Sequence, residues 1–127
     1  MDPLGRAARA VGWAAVLLML QADPGGAHAF PERSDPRVGA VVRTAPTQVR
    51  IWFDGDLEPA FSTIKVTSQD GQSVDQGDSH VDGQERRLLR VALKPLPPGV
   101  YKVMWSVLAV DGHRTDGDYT FTLKPAG

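Results

Sequence analysis

The feature that most constrains the fold is an alternation with a period of two over residues 100–108, in which large apolar side chains at every second position alternate with Lys102, Met104 and Ser106. Successive side chains of a β-strand point to opposite faces, so this alternation predicts a strand with one buried face. The residues predicted to face inward are Tyr101, Val103, Trp105 and Val107.

Four more segments repeat this two-residue period and carry β-branched and aromatic residues on their apolar side. Their predicted inward residues are Val49, Ile51 and Phe53; Ile64 and Val66; Leu89, Val91 and Leu93; and Tyr119, Phe121 and Leu123. Turn signals such as Asp-Gly and Pro-Gly separate the segments, and no window keeps a helical period. Short strands at this spacing predict an all-β fold, a two-sheet Greek-key β-sandwich or barrel of about seven strands. The polar stretch 69–87 is predicted to be a long exposed connection.

Composition excludes several classes of function. The chain has 127 residues, enough for one domain, a formal net charge of −1 and no cysteine. The lack of cysteine excludes disulfides, Cys-based zinc sites and thiol catalysis. A net charge close to zero gives no reason to expect nucleic acid or an anionic membrane as a partner.

The first 27 residues have the order of a secretory signal peptide. Arg6 and Arg9 supply positive charge, residues 10–20 are apolar, and residues 21–27 are polar and end in small side chains. A membrane anchor is the alternative, but the apolar run is shorter than the ~18 residues of a membrane span. The cut could follow Ala27 or Ala29, and the Ala-x-Ala pattern alone slightly favours Ala29. Residues 28–127 are predicted to be the exported domain.

Asp111 and His113 are candidate site residues because they follow the long strand and are separated by one residue. In extended backbone they would point to the same face, where a carboxylate and an imidazole can bind a metal together. A turn aspartate beside an exposed histidine would give the same pattern, so the pair alone is a weak signal. Of the other candidates, His80 is interpreted as a surface histidine, and Asp54 and Asp56 as a solvated acidic rim rather than a catalytic pair.

His28 strengthens the metal hypothesis if the signal peptide is cut after Ala27. The free α-amine and the imidazole Nδ1 of His28 can then chelate one metal, and an α-amine with a pKa of about 8 gives up its proton readily. With His113 and Asp111 this makes three nitrogens and one oxygen, a set that favours Cu(II). If the cut follows Ala29, only a weak two-ligand site remains.

The sequence resembles CopC-type copper-binding proteins over essentially all of residues 28–127. The similar segments are His28-Ala29-Phe30, Ser34-Asp35-Pro36, Val38-Gly39-Ala40, residues 46–53, residues 98–113 and residues 117–121. The stretch 98–113, which ends in Asp111-Gly112-His113, is the most distinctive of them.

This resemblance implies a β-sandwich or barrel of cupredoxin-like or immunoglobulin-like type. It also implies a periplasmic carrier, not an enzyme, that holds one Cu(II) per chain as cargo through His28, Asp111 and His113. By the same likeness, the signal peptide is residues 1–27, cut after Ala27. A CopD-type inner-membrane copper transporter is the implied partner, and we expect the carrier to be a monomer.

Two features depart from the family pattern. Some relatives carry a methionine-rich loop that binds Cu(I), whereas Met104 is the only methionine within residues 28–127. A soft site needs several thioethers, so we predict a site for Cu(II) alone. Relatives often have a glutamate after the second strand, where this chain has Asp54-Gly55-Asp56. Asp54 or Asp56 is therefore the candidate to support the metal-bound histidine.

Two other functions remain open at this point. An amine with two imidazoles also resembles the histidine brace of copper oxygenases that cleave polysaccharides. An Asp111 ligand argues against that enzyme, because it would fill a coordination position and favour Cu(II) over Cu(I). The third function is that of a β-sandwich interaction domain that binds no metal.

Overall fold

The computed structural model describes residues 29–126, so the predicted signal peptide and His28 lie outside the described residues. The described chain forms eight strands, together with one short 3-10 helix, Pro59–Phe61. No helix in this part of the chain has the length and hydrophobicity that crossing a membrane requires. The strands are β1 (Pro31–Asp35), β2 (Val41–Val42), β3 (Gln48–Phe53), β4 (Thr63–Ser68), β5 (His80–Val81), β6 (Leu88–Ala92), β7 (Gly99–Leu108) and β8 (Arg114–Leu123).

The strands pack as two four-stranded sheets, which confirms the predicted β-sandwich. One sheet has the order β1-β3-β6-β5 and the other has the order β2-β8-β7-β4. The strand pairs are antiparallel except β2 with β8, which is parallel. The hairpins β5–β6 and β7–β8 each stay within one sheet, and every other connection between these strands crosses to the opposite sheet.

The predicted inward faces form the core between the two sheets. Every apolar residue predicted to face inward is at most 9% exposed. On β7, the alternate residues Lys102, Met104 and Ser106 are exposed or half-buried, as the period of two requires. Removing this apolar surface from water is the main force that holds the sheets together.

Trp105 on β7 shows how closely the sandwich is packed. Its ring meets Phe53 edge-on, with the ring centroids 5.3 Å apart and the ring planes at 73°. Gly117 pairs with Trp105 across the β7–β8 ladder. A Cβ atom at position 117 would lie 2.6 Å from Cζ2 of the indole, so the indole occupies the space that any other residue at 117 would fill.

The three strands β1, β2 and β5 lack the alternation of buried and exposed side chains from which the other five strands could be predicted. β2 and β5 have two residues each, and β1 has no buried residue. β1 is an edge strand that gains its conformation from antiparallel pairing with β3. The Asp35 carboxylate on β1 also accepts a 2.7 Å hydrogen bond from Nη2 of Arg50 on β3.

The prediction that residues 69–87 form a long exposed connection holds for most of this stretch and is wrong at two buried positions. Asp75 is only 9% exposed, and β5 contributes the buried Val81. The Asp75 carboxylate accepts hydrogen bonds from the backbone N–H of Val66 at 2.8 Å and from that of Gly77 at 2.9 Å. These backbone donors allow a charged side chain to be buried, because they replace the water that it loses.

Candidate metal centre

The candidate metal centre begins with the tight turn that joins β7 to β8. The carbonyl of Ala109 accepts a 2.9 Å hydrogen bond from the N–H of Gly112, and the N–H of Ala109 donates to the carbonyl of His113 at 2.9 Å. Gly112 has a φ of 94°, the left-handed region that favours glycine. This is the pattern of a three-residue hairpin loop that ends in a glycine bulge.

This turn brings Asp111 and His113 into direct contact. Oδ2 of Asp111 lies 3.0 Å from Nδ1 of His113, and Oδ1 accepts a 3.1 Å hydrogen bond from the backbone N–H of His113. We predicted that the two side chains meet because the backbone between them is extended. They do meet, but the backbone is not extended there, since β7 ends at Leu108. The turn produces the contact instead.

The contact with Asp111 determines which nitrogen of His113 can bind a metal as long as this contact is kept. An Nδ1 that donates its proton to a carboxylate leaves the lone pair of the neutral ring on Nε2. A carboxylate behind an imidazole also fixes the orientation of the ring and makes the other nitrogen a better ligand. The His113 side chain is 55% exposed and that of Asp111 is 30% exposed, so the pair is accessible from solvent.

The beginning of the described chain is fixed beside this turn. Oγ1 of Thr115 donates a 2.7 Å hydrogen bond to the carbonyl of Ala29, and Ala29 is fully buried. Thr115 lies two residues after His113, on the first residues of β8. This role of Thr115 could not be predicted from the sequence, because a strand threonine that bonds to a distant carbonyl looks like any other strand threonine.

Asp54 holds the same segment from its other side. Oδ1 of Asp54 accepts a 2.7 Å hydrogen bond from the N–H of Phe30, and the N–H of Asp54 donates to the carbonyl of Phe30 at 2.9 Å. Asp56 has a different partner, since its Oδ1 accepts from Nε of Arg87 at 3.2 Å. Of the two aspartates predicted to support the site, Asp54 is therefore the one in contact with the residues that follow His28.

The loop that carries these two aspartates packs along the end of β7. The N–H of Val110 donates to the carbonyl of Asp56 at 3.1 Å, and the N–H of Glu58 donates to the carbonyl of Leu108 at 2.8 Å. Leu57 and Ala109 form an isolated antiparallel bridge between the two segments. Three stretches that are distant in sequence, 29–30, 54–58 and 109–115, therefore meet at one end of the sandwich.

The remaining histidine of the described chain is not part of this site. His80 is exposed on β5, where its Nδ1 lies 2.7 Å from the carbonyl of Asp78, as predicted for a surface histidine. Within residues 29–126, no group of three or more His, Cys, Asp or Glu side chains is arranged to hold a metal ion. Asp111 and His113 are therefore a pair and not a complete set of protein ligands within this range, and His28 lies outside the described residues.

Comparison with known proteins identifies the family. The CopC domain family matches residues 31–124, which include both sheets and the turn with Asp111 and His113. The chain belongs to the CopC family. Membership agrees with the resemblance read from the sequence, in which residues 98–113 are the most distinctive part.

The relatives of this CopC-family chain include proteins named for copper. It is 32% identical over 117 residues to the copper transport protein CutJ of Bacillus subtilis, covering 90% of this chain and only 22% of CutJ. It is 35% identical over 99 residues to protein YobA of Escherichia coli strain K12, covering 77% of this chain and 80% of YobA. The crystal structure of CopC from Methylosinus trichosporium OB3b superposes with a TM-score of 0.70 at 31% identity, covering 79% of this chain and 97% of that one.

Proposed function

We propose that this chain is an exported copper carrier that binds one Cu(II) as cargo through His28, Asp111 and His113. In this proposal, cleavage after Ala27 makes His28 the first residue of the mature protein. The α-amine and imidazole of His28 and the imidazole of His113 supply three nitrogens, and the Asp111 carboxylate supplies an oxygen. Family membership and the names of the relatives support copper as the ligand.

The observation that carries the proposal is the position of Ala29 beside the Asp111–His113 turn. The carbonyl of Ala29 is hydrogen-bonded to Thr115, two residues after His113. Consecutive Cα atoms are about 3.8 Å apart, so the Cα atom of the residue before Ala29 lies about 3.8 Å from that of Ala29. A mature N-terminus at position 28 would therefore start one residue before this segment, which supports the proposal.

The proposed ligand set suits Cu(II) better than other available metals. Amine and imidazole nitrogens with a carboxylate oxygen favour Cu(II), which also has the highest affinity among the divalent first-row metals. Asp111 can act as a direct ligand only if copper takes the place of the proton between Oδ2 of Asp111 and Nδ1 of His113, because a metal on Nε2 would lie on the opposite side of the ring from this carboxylate. Met104 is half-buried on β7 and is the one methionine between residues 28 and 127, so a thioether site for Cu(I) has no ligand set.

A comparison of three histidine variants tests the proposal. We expect His28→Ala and His113→Ala each to lower Cu(II) affinity by on the order of 100-fold or more, since each removes a direct ligand. His80→Ala is the matched control and should bind copper as the parent does, because His80 lies on a different strand and contacts Asp78. The measurement is a competition titration with a Cu(II) chelator of known affinity. A metal-free interaction domain predicts that all three variants bind copper no more weakly than the parent.

The alternative function as an oxygenase is tested by redox turnover. With Asp111 as a ligand, Cu(II) is stabilised over Cu(I), so we expect the loaded protein to produce no more peroxide with a reductant than the His113→Ala variant does. Rapid, copper-dependent peroxide production that is lost in His113→Ala would contradict the carrier proposal and favour the enzyme.

We further propose that the bound copper is delivered to a membrane transporter of the CopD type. The relative CutJ supports this direction, because the chain matches 22% of a longer protein that is named a copper transport protein. Transfer of copper from the loaded carrier to isolated membranes containing such a transporter tests this step. Membranes without the transporter are the control, and equal uptake by both would contradict it.

A further inference from the structure

A cleft lined by arginines lies on the sheet that contains β1 and β3. It has a volume of about 450 Å³. The residues that line it, called the arginine cleft below, are Arg33, Ser34, Asp35, Arg37, Arg50 and Trp52. None of them contributes to the proposed copper site.

Trp52 organises two of the arginines. The guanidinium carbon of Arg33 lies 3.9 Å from the centroid of the indole ring, and that of Arg50 lies 5.0 Å from it. A guanidinium that stacks on an aromatic ring uses its flat face, so its N–H groups, which point outward in its plane, stay available as donors. The tryptophan therefore holds positive charge at the cleft without using its hydrogen bonds.

The cleft has more donors than acceptors. Asp35 accepts a 2.7 Å hydrogen bond from Nη2 of Arg50, which is the ion pair in the lining. Within residues 29–126, Arg33 and Arg37 form no ion pair. Nε of Arg50 is buried and has no hydrogen-bond partner in this part of the chain. The lining therefore leaves the guanidinium groups of Arg33 and Arg37 without a carboxylate partner among the described residues.

We propose that the arginine cleft binds an oxyanion of the phosphate type between Arg33, Arg37 and Arg50. Arginine is the residue best suited to oxyanions, because its fork of N–H groups matches two oxygens at once. A carboxylate has two oxygens, whereas a phosphate group has three or four and can serve several guanidinium groups together. Three arginines face one carboxylate in the lining, and a bound phosphate would balance the excess positive charge.

A phosphate group can reach this cleft from two sources, as free phosphate or as the headgroup of an anionic phospholipid. Both present the same oxyanion to the same donors. The experiment therefore has one arm for each source, and both use the exported protein without copper. Since His113 is not among the residues that line the arginine cleft, the His113→Ala variant should bind phosphate as the parent does, which separates this inference from the proposed copper function.

The first arm titrates inorganic phosphate and follows tryptophan fluorescence at constant ionic strength. Trp52 is half-buried in the cleft, whereas Trp105 is in the core, so a bound anion should change the Trp52 signal. We expect saturable binding that Arg33→Gln and Arg37→Gln each weaken by about tenfold or more, because each loses a charge-assisted contact. Lys102→Gln is the control, since it removes one positive charge from an exposed position on the other sheet.

The second arm measures co-sedimentation with vesicles of phosphatidylcholine alone or with added phosphatidylglycerol. Binding to the phosphatidylglycerol vesicles that Arg33→Gln and Arg37→Gln reduce and Lys102→Gln does not would support the headgroup as the source. Arg37 is exposed after β1, so its substitution tests the cleft even if Arg33→Gln fails to fold. The proposal is overturned if neither probe binds saturably, or if Lys102→Gln weakens binding as much as the cleft variants do.

Discussion

Asp111 has two separable tasks at the level of a single residue. Its carboxylate accepts the His113 N–H and thereby shapes the turn, and it also lies 3.0 Å from Nδ1 of the His113 ring. An asparagine can perform the first task, because its side-chain oxygen accepts the same hydrogen bond. An asparagine cannot supply the negative charge that the contact with the His113 ring and the proposed copper site use.

Asp111→Asn therefore separates folding from metal binding. We expect the free energy of unfolding to change by less than about 1 kcal/mol, since the turn is retained. We expect Cu(II) affinity to fall by about tenfold or more, since the charged oxygen is lost. Urea unfolding and a chelator competition measure the two effects, with Asp116→Asn on exposed β8 as the control. Unchanged copper affinity would mean that Asp111 serves the turn only.

Tyr119 makes stability depend on pH in the alkaline range. Burial raises the pKa of Tyr119 to about 12, and its hydroxyl donates a 2.9 Å hydrogen bond to the carbonyl of Pro36. The ordinary pKa is about 10, so the folded state holds this proton more tightly than the unfolded chain does. The resulting stabilisation is fully present below pH ~10 and is lost as the pH rises through the folded-state value.

We expect Tyr119→Phe to reduce this alkaline loss of stability. Between about pH 10 and pH 12, the free energy of unfolding should fall less steeply in the variant than in the parent. Burial also raises the pKa of Tyr101, but that tyrosine is present in both proteins and does not affect the comparison. Below pH ~10 the variant should be less stable by about 1 kcal/mol, the value of one hydrogen bond. Equal slopes in urea unfolding at several pH values would contradict this account.

At the level of elements, the β7–β8 hairpin connects the core to the candidate site. The ladder between its strands runs from Gly99–Leu123 to Leu108–Arg114 without a break, and the turn with Asp111 and His113 follows directly. The pair of Trp105 and Gly117 lies within this ladder, three residue pairs from the turn. The position of the proposed ligands therefore depends on a rigid hairpin that is packed into the core.

Gly117→Ala tests how much this packing matters. The added Cβ would lie 2.6 Å from the Trp105 ring, so the indole or the strand must shift. We expect a loss of about 1–3 kcal/mol in the free energy of unfolding, as for other overpacked cores. Gly83→Ala is the matched control, because a Cβ there has no atom within 4 Å. A change at Gly117 no larger than at Gly83 would show that the hairpin adjusts without cost.

The five alternating strands could be predicted from the sequence because burial on one face leaves a period of two. The faces of β3, β4, β6, β7 and β8 were predicted correctly for this reason. The three short or exposed strands could not be predicted, since their conformation comes from hydrogen bonds to neighbouring strands rather than from their own side chains. Asp75 was missed for a related reason, because its burial depends on backbone donors at Val66 and Gly77.

The candidate site was predicted only in part, for the same kind of reason. The short spacing of Asp111 and His113 indicated that they could meet, and the structure brings them together through a turn rather than a strand. The hydrogen bonds of Ala29 to Thr115 and of Phe30 to Asp54 join residues 86 and 24 positions apart. No local pattern in the sequence indicates such long-range contacts.

The whole molecule can be understood as a rigid β-sandwich that carries its proposed site at one end. Residues 29–30, the loop 54–58 and the turn 109–113 are brought together there by the fold, and Asp111 and His113 contact each other in that turn. What the fold cannot provide is the chelating α-amine, which exists only if processing exposes His28. The proposed function therefore depends on export as much as on folding.

The intact native mass of the exported protein, measured with one equivalent of Cu(II), is the decisive measurement for the proposed copper site. We expect a chain that begins at His28 and retains one copper ion. A chain that begins at Phe30 would lack both the amine and the imidazole of His28, and a chain that begins at His28 but retains no copper would lack the expected affinity. Either result would contradict the assignment of this chain as a Cu(II) carrier.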